Sequence, residues 1–241
     1  MYSFRTTFGP VELAFTDRLG GVSAAPYDEL NLSIAGTDDE KATAENHRLL
    51  IGDFAPDLGV DRIADLLQVH GADVVDARAG VRQEADGIVT TELDTVLVVR
   101  AADCVPVLLA DAAAGVVGAA HAGRLGMAAG VVTRVVERMR ELGAGDVRAW
   151  IGPYICGACY EVPAELQQEV AAAEPASRAT TSWGTPALDI GAGVRAQLER
   201  AGVEAVDAAR CTRESADLYS YRRDGVGAGR LAGIVRLRDV A

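Results

Sequence analysis

Residues 104 to 121, Cys-Val-Pro-Val-Leu-Leu-Ala-Asp-Ala-Ala-Ala-Gly-Val-Val-Gly-Ala-Ala-His, constrain the fold more than any other stretch of the chain. Two apolar runs, Val105 to Ala110 and Val116 to Ala120, flank a short Asp/Ala/Gly connection. Runs of this length between turn residues read as the buried strands of a hairpin. With Asp111 to Ala114 as the loop, Ala110 faces Gly115, and antiparallel register sets Cys104 opposite His121. Opposed residues share a face, with Cβ atoms about 4.5–5.5 Å apart. A thiol and an imidazole then meet at the open end of the hairpin, able to share a metal ion or a proton. Pro106 limits the geometry because it has no N–H for the ladder, and a slip of one residue would send the two groups to opposite faces.

Around this hairpin the chain reads as a single α/β domain, residues 1–241, with a mixed sheet, since hairpins and helical crossovers both occur. Residues 2 to 16 alternate as strands broken at Gly9-Pro10. Thr37-Asp38-Asp39-Glu40 forms a capping box that starts a helix running through Asn46, His47 and Arg48 to about Ile51. Strands are expected at 65–70, 73–77, 88–90, 95–100 and 146–152, with helices at 165–173 and 188–201. After His121, one helix is expected from Arg124 to Leu142, its buried stripe formed by Leu125, Ala128, Val132, Val135, Met139 and Leu142. Gly126 and Gly130 would let it approach the sheet. The closing stretch, 217–240, reads as a turn at Tyr219 to Gly225 and a final strand at 231–237.

A net charge of −12 argues against a nucleic-acid polymer as partner, because phosphate affinity needs a positive surface. No run reaches the 18 or so apolar residues of a membrane span, and no signal-like N-terminus is visible, so a cytoplasmic protein without membrane contact is expected. Four cysteines are too few for a disulfide scaffold in a chain of 241 residues.

Three histidines, His47, His70 and His121, limit the possible chemistry. Cys104, His121 and His70 form a candidate zinc set of one thiolate and two imidazoles, with a fourth place open as in catalytic sites. The same Cys104/His121 pair also suits a metal-free nucleophile with its base, or a buried thiol beside a core histidine. Two histidines and a cysteine with a distant methionine are copper ligands too, although Met127 reads as packing beneath the helix. A multicopper cluster needs more imidazoles than one leftover histidine supplies. Arg48, taken alone, reads equally as a solvated helix charge. Cys156-Gly157-Ala158-Cys159 has redox or zinc-knuckle spacing but lacks a second pair, and Cys211 reads as a packed thiol.

Gly20-Gly21-Val22-Ser23, Asn31-Leu32, Ala44 to Arg48, Gln68-Val69-His70-Gly71, Ala85-Asp86-Gly87, Ala102 to Val107, His121-Ala122-Gly123, Ile151-Gly152-Pro153, Cys159 to Val162, Cys211-Thr212, Ser220 to Asp224 and Gly229-Arg230 together resemble the YfiH-type laccase-domain family. Its members are labelled multicopper polyphenol oxidases and also described as purine nucleoside phosphorylases. The resemblance implies a four-layer α/β/β/α sandwich, related to a bacterial toxin's cysteine-dependent deamidase domain. It also implies zinc on His70, Cys104 and His121, here the catalytic centre, with copper as the lesser alternative.

The implied activities are phosphorolysis of adenosine, inosine and 5′-methylthioadenosine, and deamination of adenosine, for which zinc-activated water suits attack at C6. Nucleoside and phosphate are the implied partners of a monomeric enzyme. Arg48 is the candidate for holding phosphate in catalysis, with Arg223 second, and Asn31 and Gln68 complete the substrate-binding set. A metal-free Cys/His hydrolase, such as an amidase that edits peptidoglycan precursors, is the alternative, and a copper-binding polyphenol oxidase the other. One departure stands out: the family usually reads His-Ala-Gly-Trp-Arg-Gly where this chain has His121-Ala122-Gly123-Arg124-Leu125-Gly126. A shift of one helical residue swings a side chain by about 100° around the axis.

Overall fold

The computed structural model describes residues 1–239; Val240 and Ala241, the ends of the stretches read as 217–240 and 1–241, lie outside the described residues. The strands β1 (Tyr2–Phe8) and β2 (Val11–Thr16) turn at Gly9-Pro10, and α1 (Glu40–Phe54) follows a long loop. Five strands, β3 (Ile63–Leu67), β4 (Val74–Asp76), β5 (Arg82–Glu84), β6 (Gly87–Thr90) and β7 (Val96–Ala101), lead into the hairpin β8 (Val105–Asp111) and β9 (Val116–Ala122). Next come α2 (Arg124–Ala128), α3 (Val131–Glu141), β10 (Arg148–Ile151) and α4 (Ala164–Ala173). The elements β11 (Arg178–Thr180), β12 (Pro186–Leu188), α5 (Ile190–Arg200), β13 (Glu204–Asp207), α6 (Tyr221–Asp224) and β14 (Leu231–Leu237) complete the described chain.

Two six-stranded sheets, ordered β1-β2-β14-β7-β3-β5 and β13-β10-β8-β9-β6-β4, face each other. Both are mixed: β3 runs parallel to β5 and β7, β4 to β6 and β10 to β13, among antiparallel neighbours. The period of two along β8 sorts its residues. Leu108 and Ala110 point at Leu13, Phe15, Leu97 and Val235 of the other sheet. Val105, Val107 and Leu109 point outward, to Val132, Val135 and Met139 of α3 and Val194 and Leu198 of α5. The outer face of the first sheet is covered by Leu50, Ile51 and Phe54 of α1. The result is the expected α/β/β/α sandwich, with β8 and β9 buried on both faces and therefore almost wholly apolar. Truncating a residue such as Leu108 to alanine here should cost about 2–5 kcal/mol. Among the described residues, no helix is long and apolar enough to cross a membrane.

Five local expectations need correction. The hairpin pairs Asp111 with Val116 and Pro106 with His121, so Cys104 is not directly opposite His121 but displaced by two residues. The Asp111 carboxylate accepts the N–H groups of Ala113 and Ala114, which keeps Asp111 in the strand and moves the loop one residue onward. A displacement of two preserves the face, and the pair still meets on a diagonal.

The helix expected at 124–142 is two helices, because Gly130 takes φ +81 and ends the first turn sequence. Gly126 does lie against backbone, near Gly71 O, while Gly130 faces open space, and Leu125 is exposed rather than part of the buried stripe. Asp39, not Thr37, caps α1, by accepting from the N–H groups of Lys41 and Ala42. The strand expected at 65–70 ends at Leu67, and the turn expected around Tyr219 holds the short helix α6, capped by Ser220.

Candidate metal centre and cavity

His70, Cys104 and His121 converge, with His70 and His121 each offering one ring nitrogen and Cys104 its Sγ within 4.8 Å of one another. Cys104 Sγ lies 3.9 Å from His70 Nε2, and the two imidazole rings meet edge to face with centroids 4.9 Å apart. Three elements supply them: the turn after β3, the entry to β8 and the end of β9. Gly123 makes this approach possible, since a Cβ there would sit 2.7 Å from His70 Cδ2 and 3.2 Å from Cys104 Sγ.

The two residues beside the centre with unusual backbones are held by carboxylates. His70 has φ 60, a left-handed conformation rare outside glycine and asparagine. Asp86, fully buried, accepts the N–H groups of Val69, His70 and Gly71 and fixes that turn. Its Oδ1 also accepts from His121 Nδ1 at 2.8 Å, which leaves Nε2 of His121 as the free donor atom. Asp103, with φ 92, is tied by Thr212 Oγ1 at 2.6 Å and by the N–H of Arg222 at 2.6 Å.

The electrostatics suit a thiolate. Burial would push the Cys104 thiol up, but the charge of His121 and hydrogen bonds from both histidines outweigh it and bring it down to about 6. Burial likewise opposes charge on His121, and the Cys104 thiolate and Asp86 reverse this, lifting it to about 9. For Asp86, burial works upward and the bonds from His121, Gly71 and Val69 win, holding it below the usual carboxylate range. One thiolate and two imidazoles beside an open cavity fit a single ion with a place left for a reactant, and the carboxylate–histidine pair is the usual support of such a ligand.

A cavity of about 420 Å³ opens over His70 and Cys104, lined further by Tyr160, Tyr221, Arg124, Arg222 and Arg230. Its volume lies in the range of small-molecule sites. Arg222 donates to Glu161 O and stacks over Tyr160, and Arg230 donates to the carbonyls of Ala228 and Gly229. Arg124 forms no ion pair among the described residues. It stands at the first position of α2, where the family usually carries tryptophan, and it reaches the cavity from there.

The other residues singled out in the sequence do not line this cavity. Arg48 is exposed on α1 and forms a two-pronged pair with Glu45. Arg223 is spent on the carbonyls of Thr212, Ser215 and Leu218 and on Asp224. Asn31 is buried and accepts from the N–H groups of Ser33 and Arg230, so it braces the Arg230 segment. Gln68 bonds both backbone groups of Arg100 and ties the end of β3 to β7. His47 lies elsewhere, between Thr43 O and the Arg100 guanidinium.

Asp86, Asp103, Arg222, Arg230 and Tyr160 were not singled out from sequence. Their only signal was membership in the matching pieces Ala85-Asp86-Gly87, Ala102-Asp103-Cys104, Cys159-Tyr160, Ser220 to Asp224 and Gly229-Arg230.

With fold and centre in view, comparison with known proteins defines the class: residues 12–238 match the family described as multi-copper polyphenol oxidoreductase laccase. The chain belongs to this YfiH-type laccase-domain family. A purine nucleoside phosphorylase of Streptomyces coelicolor is 54% identical over 98% of this chain and 100% of its own length. One of Deinococcus radiodurans is 43% identical over 93% of this chain and 88% of its own. Among solved structures, YlmD of Geobacillus stearothermophilus is 31% identical and superposes with a TM-score of 0.85 over 96% of this chain and 93% of its own. YfiH of Bacillus licheniformis, 24% identical, shares the fold at 0.85 over 95% of this chain and 93% of its own. The family description names several coppers, whereas His70, Cys104 and His121 are the donors of one ion, and the remaining histidine, His47, is bonded elsewhere.

Proposed function

We propose that the chain is a zinc-dependent purine nucleoside phosphorylase, acting on adenosine, inosine or 5′-methylthioadenosine and also deaminating adenosine. The observation that carries this reading is the convergence of His70, Cys104 and His121 at the wall of a cavity that also holds three arginines. Homologous proteins that carry the phosphorylase name at up to 54% identity support it. His70, Cys104 and His121 would hold the zinc, which would supply Lewis-acid charge stabilisation.

Phosphorolysis joins a phosphate oxygen to C1′ of the ribose as the bond from C1′ to the purine nitrogen breaks, and the bond electrons leave with the base. Arg124, Arg222 and Arg230 would bind the phosphate and turn one oxygen toward C1′, the task for which guanidinium forks are suited. Their positive charge is local, in a chain of net charge −12. Tyr160 and Tyr221 offer aromatic faces to base or ribose. Asp86 keeps His121 in one tautomer and His70 in its turn throughout.

A second reading has its own observation. Cys104, His121 and Asp86 stand in the order nucleophile, base and orienting carboxylate, with the thiol at about 6, which also suits a metal-free amidase. His70 argues for the metal, because a nucleophile has no need of a second imidazole on its sulfur.

Elemental analysis of the native protein, beside a nucleoside assay with and without phosphate, separates the two. Zinc together with phosphate-dependent release of free base is the expected result. Rapid alkylation of Cys104 and amidase turnover that survives chelation would replace it with the hydrolase.

A further inference from the structure

A second group of metal-binding side chains lies outside the centre already described. Cys156, Cys159, Cys211 and Glu214 bring one ligand atom each to within 4.8 Å of the others. They come from two turns of equal spacing, Cys156-x-x-Cys159 and Cys211-x-x-Glu214, so the partner that the first pair lacks in sequence is supplied by a distant segment.

The backbone builds this meeting. Cys159 and Tyr160 both donate their N–H groups to Cys156 O, which closes the first turn, and Ser215 donates to Cys211 O in the second. A parallel bridge between Tyr154 and Cys211 lays the two segments side by side, with Tyr154 N bonded to Arg210 O and Thr212 N to Tyr154 O. The N–H of Cys156 points at Cys211 Sγ, 3.5 Å away.

We propose that these four side chains form a second, structural zinc site, independent of the centre at Cys104. Three thiolates and a carboxylate close all four positions of a tetrahedral ion, the mark of a structural rather than catalytic zinc. A tetrahedron with Zn–S of about 2.3 Å needs sulfurs about 3.8 Å apart, a contraction of at most about 1 Å from the spacing found.

The site would clamp the wall of the cavity. Ile155, the residue before the first turn, donates to Asp103 O, and Thr212, inside the second, donates to the Asp103 side chain. Both arms therefore end on the residue preceding Cys104, and Tyr160, next to Cys159, lines the cavity. An ion joining the arms fixes the left-handed backbone of Asp103 from both sides.

Zinc content of the full chain, purified from zinc-supplemented cells and desalted, tests this directly. About two ions per chain are expected in the wild type, about one in Cys104→Ala and about one in Cys156→Ser. Because a cysteine variant of the clamp can fail to fold, the decisive sample is Cys104→Ala, whose clamp is intact. Loaded with cobalt(II), it should show the intense charge-transfer absorption of several thiolates on one ion, and Glu214→Gln on that background should weaken cobalt binding. Cys104→Ala protein that binds neither zinc nor cobalt would overturn the proposal. So would wild-type protein, denatured without reductant, that titrates two thiols short of its four cysteines, since a disulfide would then occupy the place of the ion.

Discussion

The Nδ1–H of His121 donates to Asp86 Oδ1 at 2.8 Å, and the same carboxylate accepts the backbone N–H groups on both sides of His70 and of His70 itself. One side chain thus sets the tautomer of one candidate ligand and the turn that carries the other. In Asp86→Asn the amide keeps a single acceptor oxygen for these four donors. Metal affinity should fall by about 10–100-fold, read by competition with a coloured chelator, while far-ultraviolet circular dichroism stays native. Unchanged affinity would remove Asp86 from the centre.

Gly123→Ala places a methyl group 2.7 Å from His70 Cδ2 and 3.2 Å from Cys104 Sγ. The backbone there has φ −75, which alanine adopts freely, so the cost falls on the ligands rather than on the chain. We expect most bound metal to be lost in elemental analysis, with the thermal midpoint lowered by only a few degrees.

Arg124 and Arg48 make opposed predictions. Removing a charged hydrogen bond to substrate costs about 1.5–3 kcal/mol, so Arg124→Gln should raise the KM for phosphate by roughly tenfold or more. Arg48→Gln, on the solvent face beside Glu45, should leave phosphorolysis unchanged. Initial-rate measurements at varied phosphate check both, and the reverse pattern would return the phosphate site to α1.

His47 makes stability depend on pH. Burial first, and then the charge of Arg100, bring it down to about 4 from an ordinary value of 6.5. Its Nδ1 donates to Thr43 O, so Nε2 must stay unprotonated to accept from Arg100. The unfolded chain takes up the proton first, so this contribution is complete above about pH 6.5 and is lost as pH falls through about 4. The loss amounts to on the order of 3 kcal/mol by pH 4. Urea unfolding of the wild type, compared with His47→Gln between these pH values, should show the wild type losing stability faster.

Sequence patterns reached the layers and the hairpin because apolar period and turn residues are local signals. The meeting of Cys104 with His121 survived a register error of two residues only because side chains repeat their face every second position. Gly130 reads in sequence as a packing feature, since a glycine needed for its left-handed backbone looks the same there as one needed for space. The strands β5, β11 and β12 have three residues each, too few for alternation to register.

Arginines divided against expectation. Arg48 and Arg223 are consumed by neighbours, and Arg124, Arg222 and Arg230 are delivered to the cavity by loops and short helices whose paths no periodicity encodes. Cys211 read as an isolated thiol for the same reason: its companions are brought to it by a single bridge to Tyr154.

The order of strands has a consequence for biogenesis. β14 follows every other described element, yet it lies between β2 and β7 in the middle of its sheet. While residues 231–237 are still inside the ribosome, the ribbon of β1 and β2 has no strand pairing to the half built from β7, β3 and β5. The two halves of that sheet become one hydrogen-bonded layer in a single late event, when the missing strand slides into the gap.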